Sequence, residues 1–170
     1  SSLGILLGSL GMVQMRRGEY ASAVAHHREA LDLVRGAGHR THEGKVLNSL
    51  GRVHQTAGDV TAAETCYRQA LDLALDLANT ELEVSARTSL GSVLMAADRV
   101  GDAVDQLTSV LALSSGGGDV LARLKASVLL AGARRRGGQY ELAATGLRGA
   151  MDLAERTGHR EVLATASNDL

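Results

Sequence analysis

The chain has no proline, no tryptophan, no phenylalanine and one cysteine among its 170 residues. Without proline, nothing in the covalent chain interrupts long helices. Tyrosine is the sole aromatic, at Tyr20, Tyr67 and Tyr140, so the core must be built from Leu, Val and Ala, with small residues setting close helix contacts. A single cysteine excludes an intrachain disulfide. Cys66 lies between Thr65 and Tyr67 in a helical segment and reads as a small, partly buried helix residue rather than a nucleophile. No apolar run approaches the roughly 18 residues that cross a bilayer, and no basic-then-apolar leader opens the chain. The expected setting is therefore cytoplasmic, with no membrane partner. A dominant charge is also missing: 18 basic and 19 acidic side chains leave a net charge of −1. A nucleic-acid binder carries a basic excess, so no direct nucleic-acid contact is expected. Every basic residue except Lys45 and Lys125 is arginine. With Ala, Gly, Leu and Val abundant, that bias points to a high-GC bacterial source.

What is present repeats. Leu10, Leu50, Leu90, Leu130 and Leu170 are 40 apart. Gly11, Gly51, Gly91 and Ala131 follow them directly. Ala23, Ala63, Ala103 and Ala143 form another column, and Ala30, Ala70, Val110 and Ala150 a further one. A period of this size with helical texture predicts an all-α fold, a solenoid of antiparallel helix pairs. Apolar spacing predicts helices over about 3–17 and 20–37, 41–57 and 60–78, 80–97 and 100–114, and 119–136 and 140–157. A ninth starts near Arg160 and is cut off at Leu170, and no initiator Met precedes Ser1-Ser2; the chain reads as an excised piece of a larger protein. The expected repeats are 1–38, 39–78, 79–118 and 119–158, with the start of a fifth at 159–170. Gly18, Gly38, Gly58 and Gly138 are placed to end helices in the left-handed conformation. Asp98 stands at that place in the third repeat, and Asp tolerates it better than most residues. Ser114-Ser115-Gly116-Gly117-Gly118 is expected to be the most flexible joint; it lacks the Lys-Ser/Thr ending of a phosphate-cradling loop. Glycine inside a helix costs roughly 1 kcal/mol against alanine. Gly11, Gly51 and Gly91 therefore need a packing reason, expected to be close approach of the paired helices onto the Ala23 and Ala30 columns.

These columns resemble the tetratricopeptide repeat (TPR). The signature is carried by Leu50-Gly51, Gly58, Ala63, Tyr67 and Ala70-Leu71, by Leu10-Gly11, Gly18, Tyr20, Ala23 and Ala30-Leu31, and by Gly138, Tyr140, Ala143 and Ala150. The resemblance implies a TPR-like alpha-alpha superhelix. The usual period is about 34 residues; here it is longer and the closing proline is missing, so both helices should be longer too. Ala37-Gly38-His39-Arg40 and Leu47-Asn48-Ser49-Leu50-Gly51, echoed by Thr157-Gly158-His159-Arg160, narrow the likeness. They resemble the 40-residue arrays at the C-terminal end of bacterial regulators of the NB-ARC/STAND and SARP types. Similar repeats occur in kinesin light chains and cell-polarity adaptors. The regulator resemblance implies an array that senses a ligand or partner and controls the rest of the protein.

In each pair the first helix should line the inner surface. One face carries Ile5, Gly8, Met12 and Met15, then Lys45, Asn48, Arg52 and Gln55, then Ser85, Thr88, Ser92 and Met95, then Lys125, Val128, Gly132 and Arg135. The candidate ligand- or peptide-binding residues are Lys45, Asn48, Arg52, Gln55, Thr88, Ser92, Lys125 and Arg135. Amides can pair with an extended peptide backbone, and Lys and Arg can hold a carboxylate. The TPR resemblance supports Asn48 in that role. A metal site is not expected. His26 and His27 point about 100° apart on a helix, His39 and His42 straddle a turn, and neither Cys-x-x-Cys nor His-Glu-x-x-His occurs. His39 and His159 are repeat equivalents, which suggests turn or capping roles. Arg16-Arg17 and Arg134-Arg135-Arg136 complement helix C-termini. Nothing resembles a nucleophile elbow or a paired-carboxylate site, so neither catalysis nor a cofactor is expected. The expected function is a non-catalytic protein- or peptide-binding scaffold, the sensor or interaction part of a bacterial transcriptional or signal-transduction regulator. Its partner would be a protein, a peptide or another domain of the parent. The alternative is a homo-oligomer through uncapped ends, at Leu3, Leu6 and Leu7 and at Leu163 and Leu170.

Overall fold

The computed structural model describes residues 2–114, 119–159 and 161. Positions 115–118 of the expected joint lie outside the described residues, as does the ninth helix apart from Glu161. The described elements are α1 (Ser2–Arg16), α2 (Tyr20–Gly36), α3 (Arg40–Thr56), α4 (Val60–Asp76), α5 (Thr80–Ala96), α6 (Val100–Leu113), α7 (Val120–Arg136) and α8 (Tyr140–Thr157). No strand occurs among the described residues. Three-residue turns join most neighbours, so paired helices run antiparallel.

Each helix forms because its apolar residues recur at spacings of three and four. In α3 the buried set is Gly44, Leu47, Leu50, Gly51 and Val53; in α4 it is Ala63, Cys66, Tyr67, Ala70, Leu71 and Ala74. Side chains cap some N-termini. The Asp59 carboxylate accepts from the Ala62 N–H at 3.0 Å, and Asp119 accepts from the N–H groups of Leu121 and Ala122. The C-termini share one turn. The N–H groups of Glu19, His39, Asp59, Asn79, Arg99 and His159 each donate to the carbonyl five residues back at 2.9 Å, and that of Gln139 does so at 2.8 Å. That bond requires a left-handed residue just before the donor. Gly18, Gly38, Gly58, Gly138 and Gly158 supply it, and so does Asp98 at φ 58°. His39 and His159 thus serve their turns through backbone N–H groups, and His39 makes no side-chain cap.

Ala78 also takes the left-handed conformation, at φ 48°. For a residue with a Cβ this costs about 1–2 kcal/mol. Ala78→Gly is therefore expected to raise stability by about 0.5–1 kcal/mol, part of the gain being offset by the freer unfolded chain. Urea denaturation of the variant measures it; lower stability would show that Ala78 bears no strain.

The chain divides into two compact units, residues 1–89 and 90–170. In the first, α1 packs on α2, α2 on α3 and α3 on α4, and α1 also meets α3. In the second, α6 packs on α7 and α7 on α8. There Leu124 is buried with Ala150 and Ala154, flanked by Val120 and Leu153.

The interior glycines face a different neighbour from the one expected. A Cβ on Gly11 would lie 2.2 Å from Nδ1 of His27, one on Gly51 would lie 2.6 Å from the Tyr67 ring, and one on Gly91 would lie 2.7 Å from Cγ of Leu107. Each glycine makes room for a large side chain on the second helix. Positions 27, 67 and 107 form a further column of the repeat. The Ala23 and Ala30 columns are buried as expected; at Gly11 the Ala23 carbonyl joins the contact, 3.2 Å from where a Cβ would lie, while the nearest atoms to Gly51 and Gly91 are those of Tyr67 and Leu107. Leu50, Leu90 and Leu130 are buried, whereas Leu10 is 44% exposed and shares an uncovered face of α1 with Leu3, Leu6 and Val13.

Candidate binding face

In the first unit, α1, α3 and the Thr80–Ser89 part of α5 bring the expected faces together side by side. The Arg52 guanidinium lies against the Met12 thioether, and the Thr56 hydroxyl is 3.9 Å from the Met15 sulfur. Asn48 Nδ2 donates to the Ser85 hydroxyl at 2.9 Å, and Lys45 Nζ donates to Glu81 at 3.1 Å. Each contact joins residues 36 to 41 positions apart. The face is thus knitted from one first helix to the next. Asn48 Oδ1 is buried and has no partner. Carboxamide oxygen and nitrogen are assigned from the network, and with either assignment one polar atom of Asn48 is unmatched. Lys45, Asn48, Ser49, Glu81, Leu82 and Ser85 line a cleft of about 230 Å³ around it.

Other expected residues have different duties. The Gln55 carbonyl accepts from the Tyr67 hydroxyl at 2.8 Å, tying α3 to α4. Burial pushes the Tyr67 phenol up to about 12. Thr88 donates to the Val84 carbonyl in its own helix. Ser92, Lys125 and Arg135 belong to the second unit; Lys125 and Arg135 are exposed, and Ser92 is half-buried. Met95, Val128 and Gly132 were expected on an open face, yet all three are buried. The α5 and α7 stripes are therefore partly core. Burial pushes the Cys66 thiol up, as befits a packed residue rather than a nucleophile.

His27 carries a signal that helical spacing did not reveal. It is 0% exposed, on α2 against Gly11. Its Nδ1–H donates to the Ala23 carbonyl at 2.9 Å, which leaves Nε2 as a lone-pair acceptor, and Nε2 is buried without a partner. At the equivalent place Tyr67 satisfies its hydroxyl on Gln55, and Leu107 has no polar atom. Burial holds the imidazole below its ordinary pKa of 6.5, against the opposing pull of the Ala23 carbonyl. The unfolded chain binds this proton more readily than the folded one. The neutral imidazole thus contributes stability above pH 6.5 that is lost as pH falls below it. His27→Leu should remove that part of the acid loss. It should also raise stability by about 1–2 kcal/mol at pH 7.5, since an unmet buried acceptor costs roughly 1–3 kcal/mol and Leu fits this register at Leu107. Denaturant melts of both proteins between pH 5 and 8 test this; parallel pH profiles would contradict it.

Among the described residues, no group of three or more His, Cys, Asp or Glu is placed to hold a metal ion. No described helix is long and apolar enough to cross a membrane.

A face of packed first helices, with the second helices behind it, defines a helical-repeat class. Residues 2–76 match the tetratricopeptide repeat family model. The chain resembles BtubC (BKLC) from P. vanneervenii at a TM-score of 0.81 and 18% identity, over 92% of this chain and 65% of that one. It also resembles nearly identical TPR-like repeats from a Podosopora anserina protein described as a kinesin light chain, at a TM-score of 0.77 and 19% identity, over 95% and 84% of the two chains. A Rap protein complexed with competence and sporulation factor matches at a TM-score of 0.77 and 14% identity, over 93% of this chain and 44% of that one. This chain thus spans less than half of the Rap protein and under two thirds of BtubC. Comparison with curated protein sequences gave no match. The fold is all-α and TPR-like.

Proposed function

We propose that the chain is a non-catalytic protein- or peptide-binding scaffold whose binding face is formed by α1, α3 and the first part of α5. One observation carries this reading: Asn48 keeps a buried, unmatched amide atom between two exposed cations, Lys45 and Arg52. Buried amides are normally satisfied, and a peptide backbone supplies the missing partner. The Lys45–Glu81 pair is exposed on both sides. Such pairs are worth at most about 1 kcal/mol, so a ligand carboxylate can displace Glu81. The TPR match over residues 2–76 supports this assignment, as does a TPR-like neighbour solved with a bound factor. The regulator setting rests on the likeness carried by Ala37-Gly38-His39-Arg40 and Leu47–Gly51.

The test is to pan a phage-displayed library of random peptides on the purified chain. Convergent peptides are expected. Their affinity for the Asn48→Ala/Arg52→Ala variant should fall roughly 10- to 100-fold, the size of one or two charge-assisted hydrogen bonds. Unchanged affinity in a folded variant would remove this face from the proposal. Self-association is the second reading, favoured by the exposed Leu3, Leu6, Leu10 and Val13 on α1. A molecular mass that rises with concentration in light scattering, and stays monomeric in Leu6→Gln, would support it.

A further inference from the structure

Repeat one departs from the later repeats at three places, and all three meet in one cleft. Where Asn48, Thr88 and Val128 stand in later first helices, α1 has Gly8. Where Leu82 fills the space over Gly44, α3 has His42. Where Tyr67 and Leu107 pack against Gly51 and Gly91, α2 has His27. Gly8, His42 and His27 all line a cleft of about 250 Å³, with Met12, Val34 and Val46 among its other walls. The register-equivalent cleft of the next repeat contains Asn48 and Leu82 and does not reach Tyr67. The first cleft therefore reaches the second helix because two side chains that fill its neighbour are replaced.

We propose that this cleft is a side-chain pocket for a phenol, the tyrosine of a bound protein or peptide, whose hydroxyl donates to Nε2 of His27. The inference rests on the binding-face reading, since Gly8 and Met12 belong to that face, and it names the group the face selects. The volume is that of one large side chain, below the range of about 300–1,000 Å³ of whole-ligand sites. Val34, Val46 and Met12 suit the faces of a ring. His27 offers one buried acceptor, its N–H being held by Ala23; Ser9, His42, Lys45 and Ser49 are the other polar side chains of the lining. A phenol matches this because its single donor sits at the far end of a flat apolar body. An apolar side chain alone would leave Nε2 unmet, and a carboxylate, though it could pair with Lys45 in the lining, would at Nε2 set its charge against a neutral acceptor. Met12 is the part of the lining that can yield: it is unbranched and half-buried, and it lies against the exposed Arg52.

The test uses p-cresol as a free phenol and toluene as its counterpart without a donor, on the full chain at pH 7.5. Binding is read by NMR of the protein labelled with ¹⁵N-histidine. The expected result is that p-cresol shifts the His27 Nε2 resonance upfield in a saturable way and toluene does not. The p-cresol-to-toluene affinity ratio should fall roughly three- to tenfold in His27→Leu, the size of one neutral hydrogen bond. Gly8→Asn, which restores the side chain of the next repeat at a site with open space around it, should abolish binding of both probes with the fold intact. An unmoved His27 resonance, or the same affinity ratio in His27→Leu, would overturn the pocket. Neither result touches the peptide titration on Asn48 and Arg52, so the two readings fail separately.

Discussion

Tyr67→Ala is expected to lower the free energy of unfolding by about 3–5 kcal/mol, the usual cost of emptying a large buried aromatic site. Tyr67 is 1% exposed and is the largest fully buried side chain among the described residues. Its ring lies against Gly51, which has no side chain to follow the collapse, and the backbone of α3 is fixed by its helix. The cavity should therefore persist. A domain holds about 5–15 kcal/mol in total, so this one change removes a large share. Tyr67→Phe separates the two contributions: it keeps the ring and loses the hydroxyl's bonds to Gln55 and Ser89, for about 1–3 kcal/mol. Urea denaturation followed by circular dichroism measures both. A loss below about 1 kcal/mol for the alanine variant would show that α3 and α4 are not held by this ring.

Gly51→Ala is expected to change sign with its background. Alanine is the better helix former by roughly 1 kcal/mol, yet here its Cβ would meet the Tyr67 ring at 2.6 Å. Overpacking of this kind costs about 1–3 kcal/mol, so the substitution should lower native stability by about 1–2 kcal/mol. In the Tyr67→Ala protein the obstacle is gone. The same substitution should then stabilise by about 1 kcal/mol, through propensity and by refilling part of the cavity. The cycle therefore carries a coupling of about 2–3 kcal/mol, at the upper end for residues in contact. If Gly51→Ala has the same sign in both backgrounds, the glycine column exists for some reason other than the 27, 67, 107 column.

The helices were legible in the sequence because two independent signals marked them. Apolar stripes gave their interiors, and glycines in the left-handed conformation gave their ends. The segment expected at 41–57 runs from Arg40 to Thr56, and that expected at 140–157 runs from Tyr140 to Thr157. Asp98 was legible as a turn residue because its side chain tolerates positive φ, but Ala78 was not, since alanine has no such preference. The column opposite the glycines stayed hidden for a chemical reason: His27, Tyr67 and Leu107 share size and position but no side-chain type. The candidate face was readable as a set of residues and not as a set of bonds. Lys45–Glu81 and Asn48–Ser85 depend on how far one first helix is staggered against the next, and helical periodicity within one repeat carries no information about that stagger. The same ignorance placed Met95 and Val128 on an open surface, where the structure buries them. The unmet His27 Nε2 could have been suspected from a histidine on the apolar stripe of α2, though only packing shows which ring nitrogen is left over.

The most direct test of the binding face is where a ligand lands. A peptide selected from the random library should be titrated into uniformly ¹⁵N-labelled protein, and the perturbed amide resonances mapped. Perturbations are expected along α3 at Lys45, Asn48 and Arg52, with the facing turns of α1 and the first part of α5, while the outer positions of α2 and α4 stay still. Perturbations confined to the exposed surfaces of α2 and α4 would contradict the binding face.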